Sequence, residues 1–348
     1  MQFRAIYTFV LTLFLVIFLT QDPLSAGYVF KRGRLIDTDE YATLPVERHF
    51  EKGTRAYENL CWDDAAIQFR LVTTAYPGTS YAQEGYFYLG VSYFYLKEYD
   101  LANEAFSNYL SCHGSPHFFE ETIQYKFSIG EEVGAGAKTR CFGMREFPKC
   151  MTNRTLAIEI YDEIVATVPC HDIAAHSLVA KGWLQWSWGQ YTAAVEAFQQ
   201  VIRRFPKHVL APECYLMISR VYLDQCEREY QNPDILTFAE LNLQKFSRNF
   251  PREERLCQVN EDFLGIQECY AKGLYEMGQY YERKRKPKAA MIYYNNAIYQ
   301  FPETCISELC RDRMYVLYPE YKDTSRDPGR LQKETQEIPF IEGDLEIS

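Results

Sequence analysis

The sequence predicts an all-α solenoid built from about six antiparallel helical pairs and a capping helix. Two observations predict it: small, aromatic and proline residues recur at fixed spacing, and the composition is rich in aromatic residues. The 348 residues include 28 Tyr and 23 Phe but only 18 Gly and 15 Pro, and 47% of the chain is hydrophobic. That profile favours packed helices over disorder. Because a solenoid lengthens by adding repeats, this chain length does not require two domains.

The recurring pattern is a glycine, then an alanine, an aromatic residue and a proline at constant intervals. It occurs three times with identical spacing, as Gly53, Ala65, Phe69 and Pro77, as Gly182, Ala194, Phe198 and Pro206, and as Gly278, Ala290, Tyr294 and Pro302. A fourth copy, with Gly90, Ala102 and Phe106, lacks the proline at the expected place. The pattern matches the tetratricopeptide repeat, in which small residues let two helices approach and proline ends the second helix.

Two further segments carry only the second half of the repeat. They are Ala157, Tyr161 and Pro169, and Ala239, Leu243 and Pro251. We therefore expect six helical pairs and a capping helix within a solenoid spanning residues 45–318. The expected pairs cover residues 45–77, 80–115, 116–170, 173–206, 208–251 and 256–302, with the capping helix at 304–317. Gly- and Pro-bearing stretches predict an insertion loop at 134–152 and a disordered acidic tail at 319–348.

The first 26 residues have the features of an export signal. Arg4 precedes an apolar run from Tyr7 to Leu19, and small residues follow at Ser25 and Ala26. A membrane anchor that is not cleaved is the alternative. The apolar run is shorter than the roughly 20 residues that a spanning helix needs. We expect export and cleavage after Ala26.

Charge and cysteine content restrict the partners and the chemistry. The net charge of −10 and the isoelectric point near 5.3 exclude a general attraction to nucleic acid. The 11 cysteines form no C-x-x-C motif. Cys141 and Cys150 share one non-periodic segment, where a disulfide would compensate for weak packing, and free buried thiols are an equal alternative.

With its repeats in register, the chain resembles the BamD family (also called YfiO or ComL) over roughly residues 46–302. This family supplies the tetratricopeptide subunit of the machinery that inserts β-barrel proteins into the bacterial outer membrane. The most specific segment is AKGLYEMGQYYER at 271–283, followed by Ala289, Ala290 and YQFP at 299–302. The resemblance implies a scaffold in the periplasm, at the inner face of the outer membrane. It implies binding to a BamA-like core protein and to unfolded outer-membrane protein segments.

Members of this family normally carry a lipid on a cysteine that directly follows the signal. Here Gly27 is followed by Tyr28, and the first cysteine is Cys61. We expect a mature protein without an amino-terminal lipid, which associates with the membrane mainly through its partners. A generic exported tetratricopeptide scaffold for a secretion or cell-wall complex is the alternative function.

The first helices of successive repeats line the concave face of such a superhelix. In the first two repeats that face includes Phe50, Tyr57, Phe87, Phe94 and Tyr95. The resemblance implies that this end holds the apolar carboxy-terminal segment of an unfolded barrel protein. Burial between repeats is the alternative, because aromatic residues at helical spacing are more often core.

A basic run, from Arg283, Lys284 and Arg285 to Lys288, stands out in the otherwise acidic chain. It is a candidate for docking an acidic partner domain. A solvated turn is the more ordinary interpretation, since charge runs usually face water.

Motifs for catalysis or metal binding are absent from the sequence. There is no G-x-S-x-G, H-E-x-x-H or phosphate-binding glycine loop, so we expect no enzyme activity and no cofactor. Cys112, His113 and His117 are close in sequence, but Gly114 and Pro116 interrupt the helix between them. We therefore predict no metal site there.

Overall fold

The computed structural model of the chain describes residues 28–31, 34–37, 42, 44–112, 116–140, 149–229 and 232–318. These residues form thirteen helices and four short strands. The helices are α1 (Val46–Glu58), α2 (Trp62–Ala75), α3 (Ser80–Tyr95), α4 (Tyr99–Ser111), α5 (Phe119–Gly134), α6 (Arg154–Thr167), α7 (Asp172–Ser187), α8 (Tyr191–Arg204), α9 (Leu210–Arg228), α10 (Pro233–Asn249), α11 (Arg255–Arg283), α12 (Pro287–Gln300) and α13 (Cys305–Leu317). The strands are β1 (Tyr28–Lys31), β2 (Arg34–Asp37), β3 (Lys138–Arg140) and β4 (Lys149–Thr152).

The helices confirm the predicted six pairs and capping helix. The chain divides into an amino-terminal unit, residues 1–164, and a carboxy-terminal unit, residues 165–348. No helix of the described residues is both long and apolar enough to span a bilayer. The predicted signal segment at 1–26 and the tail at 319–348 lie outside the described residues, as does Cys141 with the disulfide predicted for it.

Each repeat glycine leaves room for the aromatic ring of its partner helix. A Cβ atom added at Gly53 would lie 2.9 Å from the Phe69 ring, and one at Gly90 would lie 2.6 Å from the Phe106 ring. The repeat alanines Ala65, Ala102, Ala194 and Ala290 are fully buried. The signature therefore sets the distance between the two helices of a pair, because a side chain at the glycine would occupy the space of the ring.

The third pair has the same contact, although the sequence pattern did not reveal it. A Cβ atom at Gly130 in α5 would lie 2.7 Å from the ring of Tyr161 in α6. Gly130 is thus the repeat glycine of the third pair, whose second half begins with Ala157. The intervening segment changes the spacing along the chain while leaving the packing of the pair unchanged.

The segment predicted as an insertion loop at 134–152 contains the two antiparallel strands β3 and β4. Arg140 donates to Asp100 over 3.1 Å at the start of α4, and Lys149 pairs with Glu98 over 2.8 Å. These ion pairs hold the hairpin against α4. A second antiparallel hairpin, β1 with β2, lies where the sequence predicted no element.

Four of the turns that follow a pair have a cap two residues after the closing proline. Thr79 accepts a hydrogen bond from the Ala82 amide, and Thr304 accepts one from Ser307. In the turns after Pro169 and Pro206 a histidine takes this role: Nδ1 of His171 accepts from Ile173, and Nδ1 of His208 accepts from Leu210. Each cap satisfies an amide at the start of the next pair.

Four of the turns within pairs have a left-handed residue seven positions after the repeat glycine. Leu60, Lys97, Gly189 and Arg285 have φ angles of 60°, 58°, 71° and 57°. The next residue then bonds back to the end of the first helix, as from Glu98 N to Tyr93 O at 2.8 Å. This is a Schellman-type ending, which favours glycine at the left-handed position.

A buried charge distinguishes the third pair. The side chain of Lys126 in α5 is inaccessible to solvent, and its Nζ lies 2.8 Å from a carboxylate oxygen of Glu163 in α6. The same Nζ donates to Asn103 at 2.9 Å and to Ser107 at 2.6 Å, both in α4. Burial lowers the pKa of Lys126, while Glu163 opposes the shift. The three partners match the three N–H donors of the ammonium group.

Candidate protein-binding site

The amino-terminal unit carries a continuous set of aromatic side chains on α1, α2 and α3. We call it the amino-terminal aromatic surface. Its members are Phe50, Tyr57, Trp62, Tyr81, Tyr88 and Tyr95. Each ring contacts at least one other, so the set is held in place by mutual packing.

At one edge of this surface the indole ring of Trp62 and the phenol ring of Tyr95 lie parallel and in contact. The rings of Trp62 and Tyr95 stack with centroids 4.4 Å apart, and Tyr95 is 50% exposed. Tyr57 meets the Trp62 ring edge-on at 5.4 Å. Burial raises the pKa of Tyr57 and of Tyr88, so their hydroxyl groups remain protonated and can donate hydrogen bonds. Rigid aromatic groups with a polar tip are typical anchors for a partner chain.

An open groove of about 380 Å³ adjoins this surface. Phe50 and Tyr81 form its aromatic wall, with centroids 5.2 Å apart. Its charged lining consists of Glu47, Glu51, Glu58 and Arg55. Arg55 pairs with Glu51 at 3.5 Å, so the other two carboxylates dominate the charge of the groove. This amino-terminal groove combines aromatic faces with negative charge, a chemistry that suits cationic and aromatic side chains.

The five aromatic residues predicted from the sequence are placed differently from one another. Tyr95 is exposed, while Phe50 and Tyr57 are half-buried within the aromatic surface. Phe94 is half-buried between Tyr99 and Tyr125. Phe87 is buried and stacks on Phe118 at 4.3 Å, so it supports the surface from the core. The sequence pattern did not predict Trp62, Tyr81 or Tyr88, although Trp62 and Tyr88 lie one helical turn or less from the repeat signature residues.

The basic run predicted as a docking element forms the exposed turn between α11 and α12. Residues 283–288 are all exposed. Lys284 lies over the ring of Tyr280, 5.6 Å from its centroid, and Arg285 is the left-handed residue of the turn. The exposure of this run is consistent with a docking element and equally with a solvated turn.

A second groove lies within the carboxy-terminal unit, between α8, α9 and α10. It measures about 280 Å³, and its apolar lining includes Phe238 and Leu241, which are 51% and 44% exposed. Its cationic lining consists of Arg203 and Lys245. This carboxy-terminal groove thus has the opposite charge to the amino-terminal groove.

Asp172, His176 and His208 are brought together in the carboxy-terminal unit, with potential ligand atoms within 4.8 Å of one another. His208 lies far from the other two in sequence, so spacing alone could not identify the group. Its Nδ1 already accepts the Leu210 amide, which leaves Nε2 to donate to Asp172. This hydrogen bond lowers the pKa of Asp172. The positive end of α7 disfavours a cation there, so we assign the group to helix capping.

Models of the tetratricopeptide repeat match three segments of the chain. They cover residues 84–111, 175–208 and 271–304. The first corresponds to most of α3 and α4, the second to α7 and α8, and the third to the end of α11 with α12. Each segment contains one glycine–aromatic contact of the kind described above.

Several solved structures of tetratricopeptide proteins align with the chain at low identity. MamA (residue 41 to the end) from Desulfovibrio magneticus RS-1 is 13% identical, with 61% of this chain and 99% of that chain covered and a TM-score of 0.32. The carboxy-terminal part of a repeat protein from Cytophaga hutchinsonii is 13% identical, with 75% and 98% covered and a TM-score of 0.32. No curated protein sequence matches the chain significantly. The matched repeats and the paired helices together identify the chain as an all-α protein built from tetratricopeptide repeats.

Proposed function

We propose that the chain is a protein-binding scaffold whose amino-terminal aromatic surface holds an extended or helical segment of a partner protein. The single observation that carries this proposal is the stack of half-exposed Tyr95 on partly buried Trp62, in an aromatic surface whose other members Phe50 and Tyr81 line an open groove. Exposed aromatic residues held rigid by their neighbours lose little entropy when a partner binds. Repeat folds of this kind present such surfaces to other proteins.

The chemistry of the groove indicates what the bound segment contains. Glu47 and Glu58 favour a lysine or arginine, and the faces of Phe50 and Tyr81 favour an aromatic or cationic side chain. A partner segment that alternates aromatic and polar residues, with one basic residue, satisfies both. Binding then depends on aromatic contact for its affinity and on the carboxylates for orientation.

A more specific proposal follows from the sequence resemblance to the BamD family. The partner segment is the carboxy-terminal part of an unfolded β-barrel protein, and the chain acts in the bacterial periplasm beside a BamA-like core protein. The support is the resemblance at residues 271–283, at Ala289 and Ala290 and at 299–302, together with the export signal predicted at 1–26. The alternative partner is a component of a secretion or cell-wall complex.

The binding proposal is tested with a fluorescently labelled peptide that alternates aromatic and polar residues and carries one lysine. Fluorescence anisotropy gives the affinity for the wild type, for Tyr95→Ala and for Phe238→Ala. Tyr95→Ala should weaken binding about tenfold or more, because truncating an aromatic anchor typically costs over 1 kcal/mol. Phe238→Ala is the matched control, since it removes an equally exposed ring from the other unit. Equal affinity for all three proteins would contradict the proposal.

The specific partner is tested in the intact envelope with a photo-crosslinking residue in place of Tyr81, at the wall of the groove. Crosslinks to barrel-protein precursors would support the role in barrel assembly. Crosslinks to secretion components would establish the alternative instead. The same residue in place of Val209, which is 78% exposed in the other unit, controls for collisions that do not depend on the groove.

A further inference from the structure

Two cysteine thiols meet where α9 packs along α11 in the carboxy-terminal unit. Cys226 lies in the last turn of α9 and Cys269 lies near the middle of α11. Their side chains lie close enough to affect each other electrostatically, although they are more than forty residues apart in sequence. Both thiols are only partly buried, so a small oxidant or a partner thiol can reach them.

The packing of the two helices explains this contact. A Cβ atom at Gly265 of α11 would lie 3.1 Å from Leu223 of α9, so the backbone of α11 runs close to α9 at that point. Cys226 follows Leu223 by one helical turn, and Cys269 follows Gly265 by one turn. Since both helices continue in the same direction, the close approach at Gly265 carries over to the two cysteines. The contact between the two cysteines is thus set by the packing of the two helices and not only by the orientation of flexible side chains.

We propose that Cys226 and Cys269 are a modification site, at which an intramolecular disulfide forms when the protein is in an oxidising compartment. The inference is independent of the proposed binding function. It does not need the aromatic surface or any partner. It assigns a covalent bond to a contact that the sequence could not indicate, because no C-x-x-C motif marks it.

The chemistry is a thiol–disulfide exchange with a low-molecular-weight or protein disulfide as the oxidant. The Cys269 thiolate attacks the oxidant, expels one thiolate and forms a mixed disulfide. The Cys226 thiolate then attacks Sγ of Cys269 and expels the second thiolate. Two protein thiols become one disulfide, while the two expelled thiolates take up the two protons that the cysteines lose and leave as thiols.

The environment assigns the order of these steps. Burial raises the pKa of Cys226 to about 12, and the neighbouring Cys269 contributes to the rise. Burial also raises the pKa of Cys269, but there the nearby Lys272 acts in the opposite direction. Lys272 lies about one helical turn after Cys269 on α11 and favours the thiolate there, so Cys269 is the first nucleophile. The reaction is slow at neutral pH and faster at pH 8 to 9, because the thiolate is the reactive form.

The bond would link the fifth helical pair to the sixth. It closes a loop of about forty residues that contains all of α10, and it restricts the unfolded chain accordingly. Tyr270, next to Cys269, already donates its hydroxyl proton to the carbonyl of Asn232 at the start of α10. The disulfide would add a covalent link beside this hydrogen bond.

The test treats the folded, full-length protein with oxidised glutathione at pH 8.5, blocks the remaining thiols and analyses tryptic peptides by mass spectrometry. The expected product joins residues 221–228 to residues 256–272, about 2 Da lighter than the two reduced peptides. Because Cys257 lies in the second peptide, Cys257→Ser should leave the product intact, whereas Cys269→Ser and Cys226→Ser should abolish it. The oxidised protein should also unfold roughly 5 to 10 °C higher than its reduced form.

Three outcomes would overturn the proposal. One is that both thiols remain free to alkylation in the folded protein after oxidation. Another is stable glutathione adducts on Cys226 or Cys269, which would show that the second sulfur cannot reach the first. The third is a crosslink that disappears in Cys257→Ser. Protein purified from the native envelope without reductant shows whether the bond is present in the cell.

Discussion

The two units of the chain pack their helices in the same way, but their grooves carry opposite charge. In the amino-terminal unit Gly90 packs against the ring of Phe106, and in the carboxy-terminal unit Gly182 packs against the ring of Phe198. A Cβ atom added at these glycines would lie 2.6 Å and 2.7 Å from the respective ring. Their grooves differ in charge: acidic and aromatic in the first unit, cationic and aliphatic-aromatic in the second. The repeat signature determines the spacing of the helices, while the solvent-facing positions are free to vary.

The largest effect is expected from removing the aromatic ring that packs against the repeat glycine in each unit. Phe106 and Phe198 are both fully buried. Phe106→Ala and Phe198→Ala should each lower the free energy of unfolding by about 3 to 5 kcal/mol, through lost burial and the cavity that remains. Denaturant unfolding gives the size of each loss.

Hydrogen exchange measured peptide by peptide shows where each loss falls. We expect Phe106→Ala to increase exchange in α3 and α4, and Phe198→Ala in α7 and α8. A loss below about 1 kcal/mol in one variant, with the expected loss in the other, would show that the two units are not mechanically alike.

The second prediction concerns a buried charge that is present in the first unit. Glu163→Gln removes the carboxylate paired with buried Lys126, and Glu253→Gln removes the carboxylate 3.5 Å from the more exposed Arg255 in the second unit. We expect a loss of roughly 2 to 4 kcal/mol for the first and under about 1 kcal/mol for the second. Unfolding free energies at neutral pH compare the two.

The pH dependence separates the loss of the ion pair from a simple packing defect. The folded pKa of Lys126 is lowered, so the cost of its buried charge is fully present at neutral pH. This cost decreases as the pH rises through the folded pKa toward the unfolded value of about 10.4. The destabilisation caused by Glu163→Gln should therefore shrink as the pH rises from neutral toward the unfolded pKa of lysine. A loss that does not change with pH would contradict an electrostatic origin.

The sequence predicted the helical pairs because the signature residues act locally within one pair. It missed Gly130, since the hairpin between α5 and α6 separates that glycine from Tyr161 by more than the standard interval. It also missed the Lys126–Glu163 pair and the Cys226–Cys269 contact, because these join different helices without a fixed spacing. Of the aromatic surface it found Phe50, Tyr57 and Tyr95, but periodicity could not separate them from buried Phe87.

The smallest predicted effect concerns the turn inside each pair, where the two units use different residues for one conformation. Lys97 in the first unit and Gly189 in the second have nearly equal φ angles, 58° and 71°. A Cβ atom at Gly189 would contact no other group within 4 Å. Gly189→Lys therefore adds only the strain of a left-handed lysine, about 1 kcal/mol of lost stability. Lys97→Gly should remove that strain and raise the unfolding free energy by about 0.5 to 1 kcal/mol, less than the full strain because glycine loses more entropy on folding.

Both variants should leave helix content and peptide binding unchanged, because Lys97 is an exposed turn residue outside the aromatic surface. Arg285→Gly provides a third measurement, since Arg285 has the same conformation at 57° in the sixth pair. If Gly189→Lys lowers the unfolding free energy while Lys97→Gly and Arg285→Gly raise it, then backbone geometry alone determines the stability of the turn. A gain at Lys97 without a gain at Arg285 would instead indicate that the basic run at 283–288 depends on the arginine for its conformation, and the docking interpretation of that run would be favoured over a solvated turn.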